Sequence, residues 1–519
     1  MQTTRFDAIP SAYGHYLQHM REDLSAADIP AALVPGAVAE PGLAGADGAV
    51  ALPRVEPAVW RRLSWPAVPT WARSRLAGRI ALAGLILCVL AIVAVAAGAP
   101  SLLVPRADQA FPSWEAGPLH VLRLHPLSGV ALGSAFSGVL VAMLVAYGVL
   151  LAALRTLRMR TIVIAVVVLH AIVLLSPPMQ LTDLFNYLGY ARLGALHHLN
   201  PYGHVIRQEL FDPAYTFSSW HNLRSPYGWL FTALSYPLAF LSLPAAYWVL
   251  KLTTVLMSLG FVALVWDCAR RLGRDPRFAV AFVALNPIFL VYGLGGFHND
   301  FFMLTPMLGA IALLLARRDR SAGAVLMLAV AVKFTAIVLL PFLLVAARTR
   351  SRQKRVIIGA AAAVLPLAAL SLALFGPAIP NLSQQSSVLT GTSFPNLFGL
   401  LFGIGGATPM LLKLTAAGAV VVVAHQFLRN RDWPAGAGWA TLALIASLGW
   451  VMPWYVIWLL PLAALGSSVA LRRAGVLLTI YLVLAFLPST ARLMSQEGIN
   501  LLDTHAGHVA SSLQHKLAR

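Results

Sequence analysis

Three short polar clusters interrupt an otherwise apolar chain, and each holds a residue type able to move a proton or hold charge. The first is Gln180-Leu-Thr-Asp-Leu-Phe-Asn-Tyr-Leu-Gly-Tyr-Ala-Arg, where Asp183 lies within a few residues of the end of an apolar run. Partial desolvation at such a boundary tunes a carboxylate toward general-base work on a hydroxyl nucleophile. The same residue could equally be a helix N-cap, because the residues after it are helix-compatible. The second cluster, Gly296-Phe-His-Asn-Asp-Phe-Phe, places His298, Asn299 and Asp300 in a tight turn between two apolar runs. It either caps the next helix through Asn299 or Asp300 or orients a bound molecule. The third is Lys333 in Ala-Val-Lys-Phe-Thr, the only charge in its run. A lysine there either snorkels to an interface or faces a polar cavity.

Around these clusters lie aromatic residues, Phe185, Tyr187, Tyr190, Tyr202, Trp220 and Tyr227, and later Trp450-Val-Met-Pro-Trp-Tyr with Trp454. Such faces suit the C–H surfaces of sugars and equally suit an interfacial belt. Arg192, Arg224 and Arg492 fall where basic residues are sparse, which makes them candidates for binding an anionic group. Motifs of soluble enzymes are absent: no phosphate-binding Gly-rich loop ending Lys-Ser/Thr, no His-Glu-x-x-His, no Cys-x-x-Cys, no dinucleotide fingerprint. Gly403, Gly405 and Gly406 read as a helix-end loop. Cys88 and Cys268 are the two cysteines, and no disulfide framework is implied by them.

The elements that must position these clusters can be inferred from composition. Of 519 residues, 59% are hydrophobic and 11% charged, and the mean hydropathy is +0.76, so lipid rather than water is the main solvent. Apolar runs of about 20 residues span the ~30 Å hydrocarbon core, and repeated runs of this kind imply an all-α integral membrane bundle, not a barrel. The net charge of +19 is spread in short Arg clusters between the runs, at Arg73 to Arg79, Arg155 to Arg160, Arg270 to Arg274, Arg317 to Arg320, Arg348 to Arg355, Arg429 and Arg431, and Arg472 and Arg473. This is the positive-inside pattern rather than a nucleic-acid-binding patch.

Threading on that rule predicts spans at Ile80–Gly98, Gly129–Ala153, Thr161–Ser176, Ala245–Trp266, Phe278–Gly296, Phe301–Leu315, Val356–Phe375, Met410–Phe427, Trp439–Val451, Trp454–Leu471 and Gly475–Leu487. Between Arg320 and Arg348 lie about 27 residues with basic flanks, a pair of short helices turning at Lys333. Trp229–Leu243, with Pro237 inside it, reads as a tilted or re-entrant helix, because counting it as a span would invert every later Arg cluster. The sum is about 13 crossings with the N-terminus inside and the C-terminus outside. Residues 1–76 read as a largely disordered cytoplasmic extension, 77–160 as two accessory helices, 161–488 as the core with an outer loop at 177–228, and 489–519 as a polar tail.

At these residues the sequence resembles the GT-C superfamily of membrane glycosyltransferases, and more closely the polyprenol-phosphomannose-dependent α-(1→6)-mannosyltransferases of actinobacteria. Four features carry the resemblance. They are the Asp183 segment with Tyr187, Tyr190, Ala191 and Arg192 leading to Asn200-Pro-Tyr; Ser225-Pro-Tyr-Gly; Gly296 to Asp300; and Pro453-Trp-Tyr before Trp458-Leu-Leu-Pro. The resemblance covers roughly Thr161 to Pro488, about two-thirds of the chain. The resemblance implies inverting transfer of a sugar from a polyprenyl-phosphate-linked donor to a hydroxyl of a glycan or glycolipid, at the outer face of the bacterial inner membrane. It implies Asp183 as the base, with His298 and Asp300 orienting the substrates. Lys333 is the cation expected to stabilise the leaving phosphate, with Arg224 and Arg492 as substitutes. Neither cofactor nor metal is expected, since a monophosphate leaving group carries no second phosphate to offset. The competing reading is a secondary transporter or lipid flippase, whose intramembrane charges would line a path flanked by inverted repeats. No such repeat is evident, and the polar residues gather at outer turns.

Overall fold

The computed structural model describes residues 69–98, 100–104, 111–122, 129–180, 183–380, 382–429 and 432–518. The N-terminal extension up to residue 68 and Arg431 lie outside the described residues. Among the described residues the chain is helical, and its β structure is an isolated bridge between Ser101 and Val104. Five helices among the described residues are long and apolar enough to cross a bilayer: Arg75–Ala96, Gly129–Thr156, Leu243–Arg271, Arg350–Phe375 and Pro409–Arg429. A sixth arises if Val469–Ala485 and Pro488–Gln496, bent by 59°, form one span.

Shorter or broken helices make up the remainder, each break having a local cause. The segment expected as one span, Phe278–Gly296, is instead an α-helix at Pro276–Ala284 and a π-helix at Phe289–Leu294. Pro287 has no N–H to continue the ladder, and Asn286 caps the restart: its Oδ1 accepts the Ile288 N–H at 2.9 Å while its Nδ2 donates to Thr479 Oγ1 at 2.9 Å. The expected Trp454–Leu471 span likewise ends early, at Leu465. Ser468 starts a new helix by accepting the Leu471 N–H at 3.2 Å, so Leu471 belongs to Val469–Ala485. The Trp229 element is seven residues of α-helix continued by five of 3-10 helix. At 1.5 Å per residue or slightly more it reaches about 20 Å, short of the hydrocarbon core.

Lys333 lies at a backbone break. The Asp319–Val332 helix ends there with Lys333 at φ −153°, and a 3-10 turn at Phe334–Val338 leads into Leu339–Ala347. Both basic flanks of this hairpin meet at one end: the Asp319 carboxylate accepts from Arg352 Nη2 at 2.7 Å and from Arg355 Nη2 at 3.0 Å. Gly323 lets two backbones approach closely, since a Cβ there would collide with the Val356 carbonyl oxygen. The same face of the bundle gathers Arg274, which donates to the Leu465 carbonyl, and Arg472, which donates to that of Gly466.

At the opposite end the 177–228 segment covers the bundle. The expected polar tail folds as two helices, Pro488–Gln496 and His505–Ala518. The second docks on this cover: the Asn222 N–H donates to the Leu517 carbonyl at 3.0 Å, and Leu517 packs with Leu223 and Val388.

Candidate active site

Asp183 opens the Asp183–Ala195 helix just beyond the extended stretch at the end of Met159–Leu175. Its Oδ2 lies 3.5 Å from His298 Nδ1, within ion-pair reach and too long for a good hydrogen bond. The His298 side chain is 1% exposed and that of Asp183 15%, so the carboxylate is the accessible member of the pair. The imidazole is pinned by its ring: it stacks on Trp454 with centroids 3.7 Å apart and planes 15° apart. Phe297, immediately before it, takes φ 51°, a left-handed conformation that is unfavourable for a bulky residue and is held here by packing.

Asn299 occupies the N-cap position of Asp300–Leu315 and makes no side-chain capping bond. Its backbone N–H instead donates to Tyr187 Oη at 3.2 Å, tying this turn to the Asp183 helix. Asp300 also turns away from a capping role. Its Oδ1 accepts from Lys333 Nζ at 2.7 Å and from Trp458 Nε1 at 2.5 Å. Lys333 sits over the Trp458 ring at 4.9 Å and the Tyr455 ring at 5.5 Å, and its side chain remains 25% exposed. His298 Nε2, Asn299 Nδ2, Asp300 Oδ2 and, from the stretch before Asp183, Gln180 Nε2 are buried without a hydrogen-bond partner among the described residues. Next to Trp458 is a small cleft lined by Met303, Met307, Thr335, Ala336, Leu339 and Leu462.

The Ser225-Pro-Tyr-Gly motif acquires a physical reason at Gly228. Its N–H donates to the Val332 carbonyl at 3.2 Å, and a Cβ would collide with that oxygen, so only glycine lets the 177–228 segment reach the break beside Lys333. Tyr227 packs edge-on against Tyr187 at 4.7 Å.

Other candidates lie outside this constellation. Tyr190 donates its hydroxyl to the Leu223 carbonyl at 2.6 Å, and Tyr202 Oη lies 3.0 Å from both the Tyr227 carbonyl and Thr232 Oγ1, so both tyrosines hold the 177–228 segment together. Arg192 presents no open fork for an anion: its Nε lies 2.9 Å from both Asp212 oxygens, and His197 Nε2 lies 2.8 Å from Asp212 Oδ2. Burial pushes the Asp212 carboxyl up, but Arg192, His197 and the Ala214 N–H together outweigh it and hold it below its ordinary value. Arg224 is exposed, and Arg492 is half-buried on Pro488–Gln496, a helix that packs against Gly129–Ala153. Among the described residues no group of three or more His, Cys, Asp or Glu is placed to hold a metal ion.

Two participants are not evident from the sequence. Trp458 stands out there only as part of a motif, and the spacing gives no hint that its indole N–H meets Asp300. Lys251 is 0% exposed in the middle of Leu243–Arg271. Its signal is the one that marks Lys333, a lone charge inside an apolar run.

Residues 81–350 match the family model described as Alpha-(1->6)-mannopyranosyltransferase, N-terminal domain, and residues 226–488 match that of Glycosyltransferase family 87. Similar proteins include alpha-(1->6)-mannopyranosyltransferase A of Mycobacterium tuberculosis, 28% identical over 246 residues, covering 41% of this chain and 47% of the relative. A second alpha-(1->6)-mannopyranosyltransferase of the same organism is 25% identical over 395 residues, covering 59% and 66%. Alpha-(1->6)-mannopyranosyltransferase B of Corynebacterium glutamicum is 24% identical over 348 residues, covering 56% of each. The chain thus spans about half to two-thirds of the length of these relatives. No solved structure matches it. Each family model covers half of the chain or more, and between them they take in Asp183, the His298 turn, Lys333 and Trp458, so the chain belongs to the alpha-(1->6)-mannopyranosyltransferase family of GT-C membrane glycosyltransferases.

Proposed function

We propose that this protein transfers a mannosyl or related sugar residue from a polyprenyl-phosphate-linked donor to a hydroxyl of a cell-envelope glycan or glycolipid. The site would face outward from the bacterial inner (plasma) membrane, and transfer would invert the anomeric carbon. Asp183 takes the proton of the acceptor hydroxyl as its oxygen attacks the anomeric carbon, and the bond from that carbon to the phosphate oxygen breaks. The polyprenyl phosphate leaves as an anion, met by the ammonium of Lys333. Asp300 fixes that ammonium, and His298 holds the carboxylate side of the site.

The observation that supports this most is the convergence of four distant segments on one face: Asp183 with His298 at 3.5 Å, and Asp300 with Lys333 at 2.7 Å and Trp458 at 2.5 Å. A one-step displacement needs one accessible carboxylate and a cation for the leaving group, and the partial exposure of Asp183 (15%) and Lys333 (25%) supports assigning them these tasks. Of the three arginines, Arg224 remains the accessible reserve for phosphate.

The test is transfer by purified protein from defined polyprenyl-phosphate sugars, with the product analysed for anomeric configuration. Asp183→Asn, inserted as wild type, is expected to lower turnover by about 10³-fold. Wild-type turnover in that variant would remove Asp183 as the base.

A further inference from the structure

The Asp183 stretch and the His298 turn come from segments more than a hundred residues apart, and they must sit in fixed register for a 3.5 Å contact to form. One backbone bond links them: the Met179 N–H donates to the Gly295 carbonyl at 2.9 Å. Both segments pass through unfavourable backbone conformations beside this link, at Gln180 with φ 71° and Phe297 with φ 51°. A conformation of that kind persists only where its surroundings over-determine it.

Lys251 supplies the missing constraint. Its Nζ donates to the Ser176 carbonyl at 2.7 Å, at the end of the helix that leads into the Asp183 stretch, and to Tyr247 Oη at 3.3 Å. The same nitrogen lies 5.0 Å from the ring of Phe297, the residue before His298. Trp248 and Tyr247 close the remaining sides at 3.9 and 4.7 Å from their ring centroids. Tyr247 passes the constraint on, donating its hydroxyl to the Glu115 carbonyl at 2.8 Å. Lys251 is 0% exposed and touches neither Asp183 nor Lys333 in this arrangement, so the reaction described above leaves it without a task. A side chain so costly to bury, seated between the two segments, has geometry as its product.

We propose that Lys251 is a positioning residue, which holds the Asp183 stretch and the His298 turn in register by bonding one segment through the Ser176 carbonyl and seating the ring of Phe297 in the other. The kinetic arm of the test rests on the glycosyl-transfer reading, while the exchange arm does not. Lys251→Met keeps the length of the stem and removes the amine. Amide hydrogen exchange on the full-length protein in nanodiscs is expected to quicken by at least about tenfold in residues 176–180 and 293–298, with the long helices unchanged. In the transfer assay the same variant is expected to lower kcat about 30-fold with both KM values within about twofold, since binding groups stay and only their register loosens. Phe297→Leu should lower kcat about fivefold, and the double variant should match Lys251→Met alone, because both changes break one device.

Unchanged exchange in those two segments overturns the proposal, as does faster exchange throughout the chain, which would make Lys251 a general stabiliser. Strictly multiplicative kcat losses in the double variant also overturn it. If wild type transfers no sugar, the functional reading fails, and the exchange result alone decides Lys251.

Discussion

The two charged ends of the hairpin that carries Lys333 are built on opposite plans. At the basic end, Asp319 is completely buried at its side chain, and both its oxygens are occupied by the guanidinium groups of Arg352 and Arg355. At the other end, Asp300 is equally buried, yet Lys333 and Trp458 both address Oδ1 and leave Oδ2 open. His298 Nε2 and Asn299 Nδ2 beside it are open too. A saturated buried carboxylate stabilises a helix junction. A half-saturated one keeps hydrogen-bonding capacity for something that arrives later, at a standing cost in stability.

The contrast can be broken at either end. Asp319→Asn should cost about 3 kcal/mol, since it strands the largely buried Arg352 guanidinium, with little added by the half-exposed Arg355. Thermal unfolding in detergent would show this, and turnover per folded molecule should stay near wild type. A large loss of turnover at unchanged stability would erase the distinction between the ends. Lys333→Met should give the reverse pattern: kcat/KM for the lipid-linked donor down about 50-fold, with a modest change in unfolding temperature. An unchanged donor affinity would transfer the phosphate role to Arg224. Trp458→Phe removes only the second donor to Asp300 Oδ1 and should lower kcat about tenfold, a smaller effect because Lys333 still holds that oxygen.

The smallest effect concerns the 177–228 segment. Asp212 has a depressed pKa in the folded state, so its contribution is full above the ordinary carboxylate value of 3.8 and is lost as pH falls through the lower folded value. Limited proteolysis of the 177–228 segment should therefore accelerate only in that acid window. Asp212→Asn should remove the acid dependence and leave the segment cleavable at neutral pH; pH-independent resistance in the variant would show that the cluster does not secure the cover.

A residue is legible in the sequence to the extent that it differs from its surroundings. Asp183, the His298 turn and Lys333 interrupt apolar runs, and the cost of placing charge in lipid makes such interruptions visible. The long helices are legible for the same reason, and Gly129–Ala153 has the predicted bounds. The breaks at Asn286 and Gly466 are not, because hydropathy averages over windows and is blind to whether a proline or a capping serine ends a helix inside one. Nor is the partner of Arg192: telling a paired guanidinium from an anion site requires knowing where Asp212 folds. Lys251 interrupts its apolar run as Lys333 does, but its partner is not legible, because nothing in the sequence tells that its amine meets the Ser176 carbonyl.

The docking of the His505–Ala518 helix on the 177–228 segment also has a temporal meaning. Asn222 bonds a carbonyl at Leu517, and Trp458 must arrive before Asp300 has both its donors. A chain emerging from the ribosome N-terminus first therefore inserts Asp183 long before the groups that will frame it exist. The site is a late product of biosynthesis, complete only once Trp458 has folded in, so a chain stopped before that residue carries its carboxylate without the surroundings that give it work.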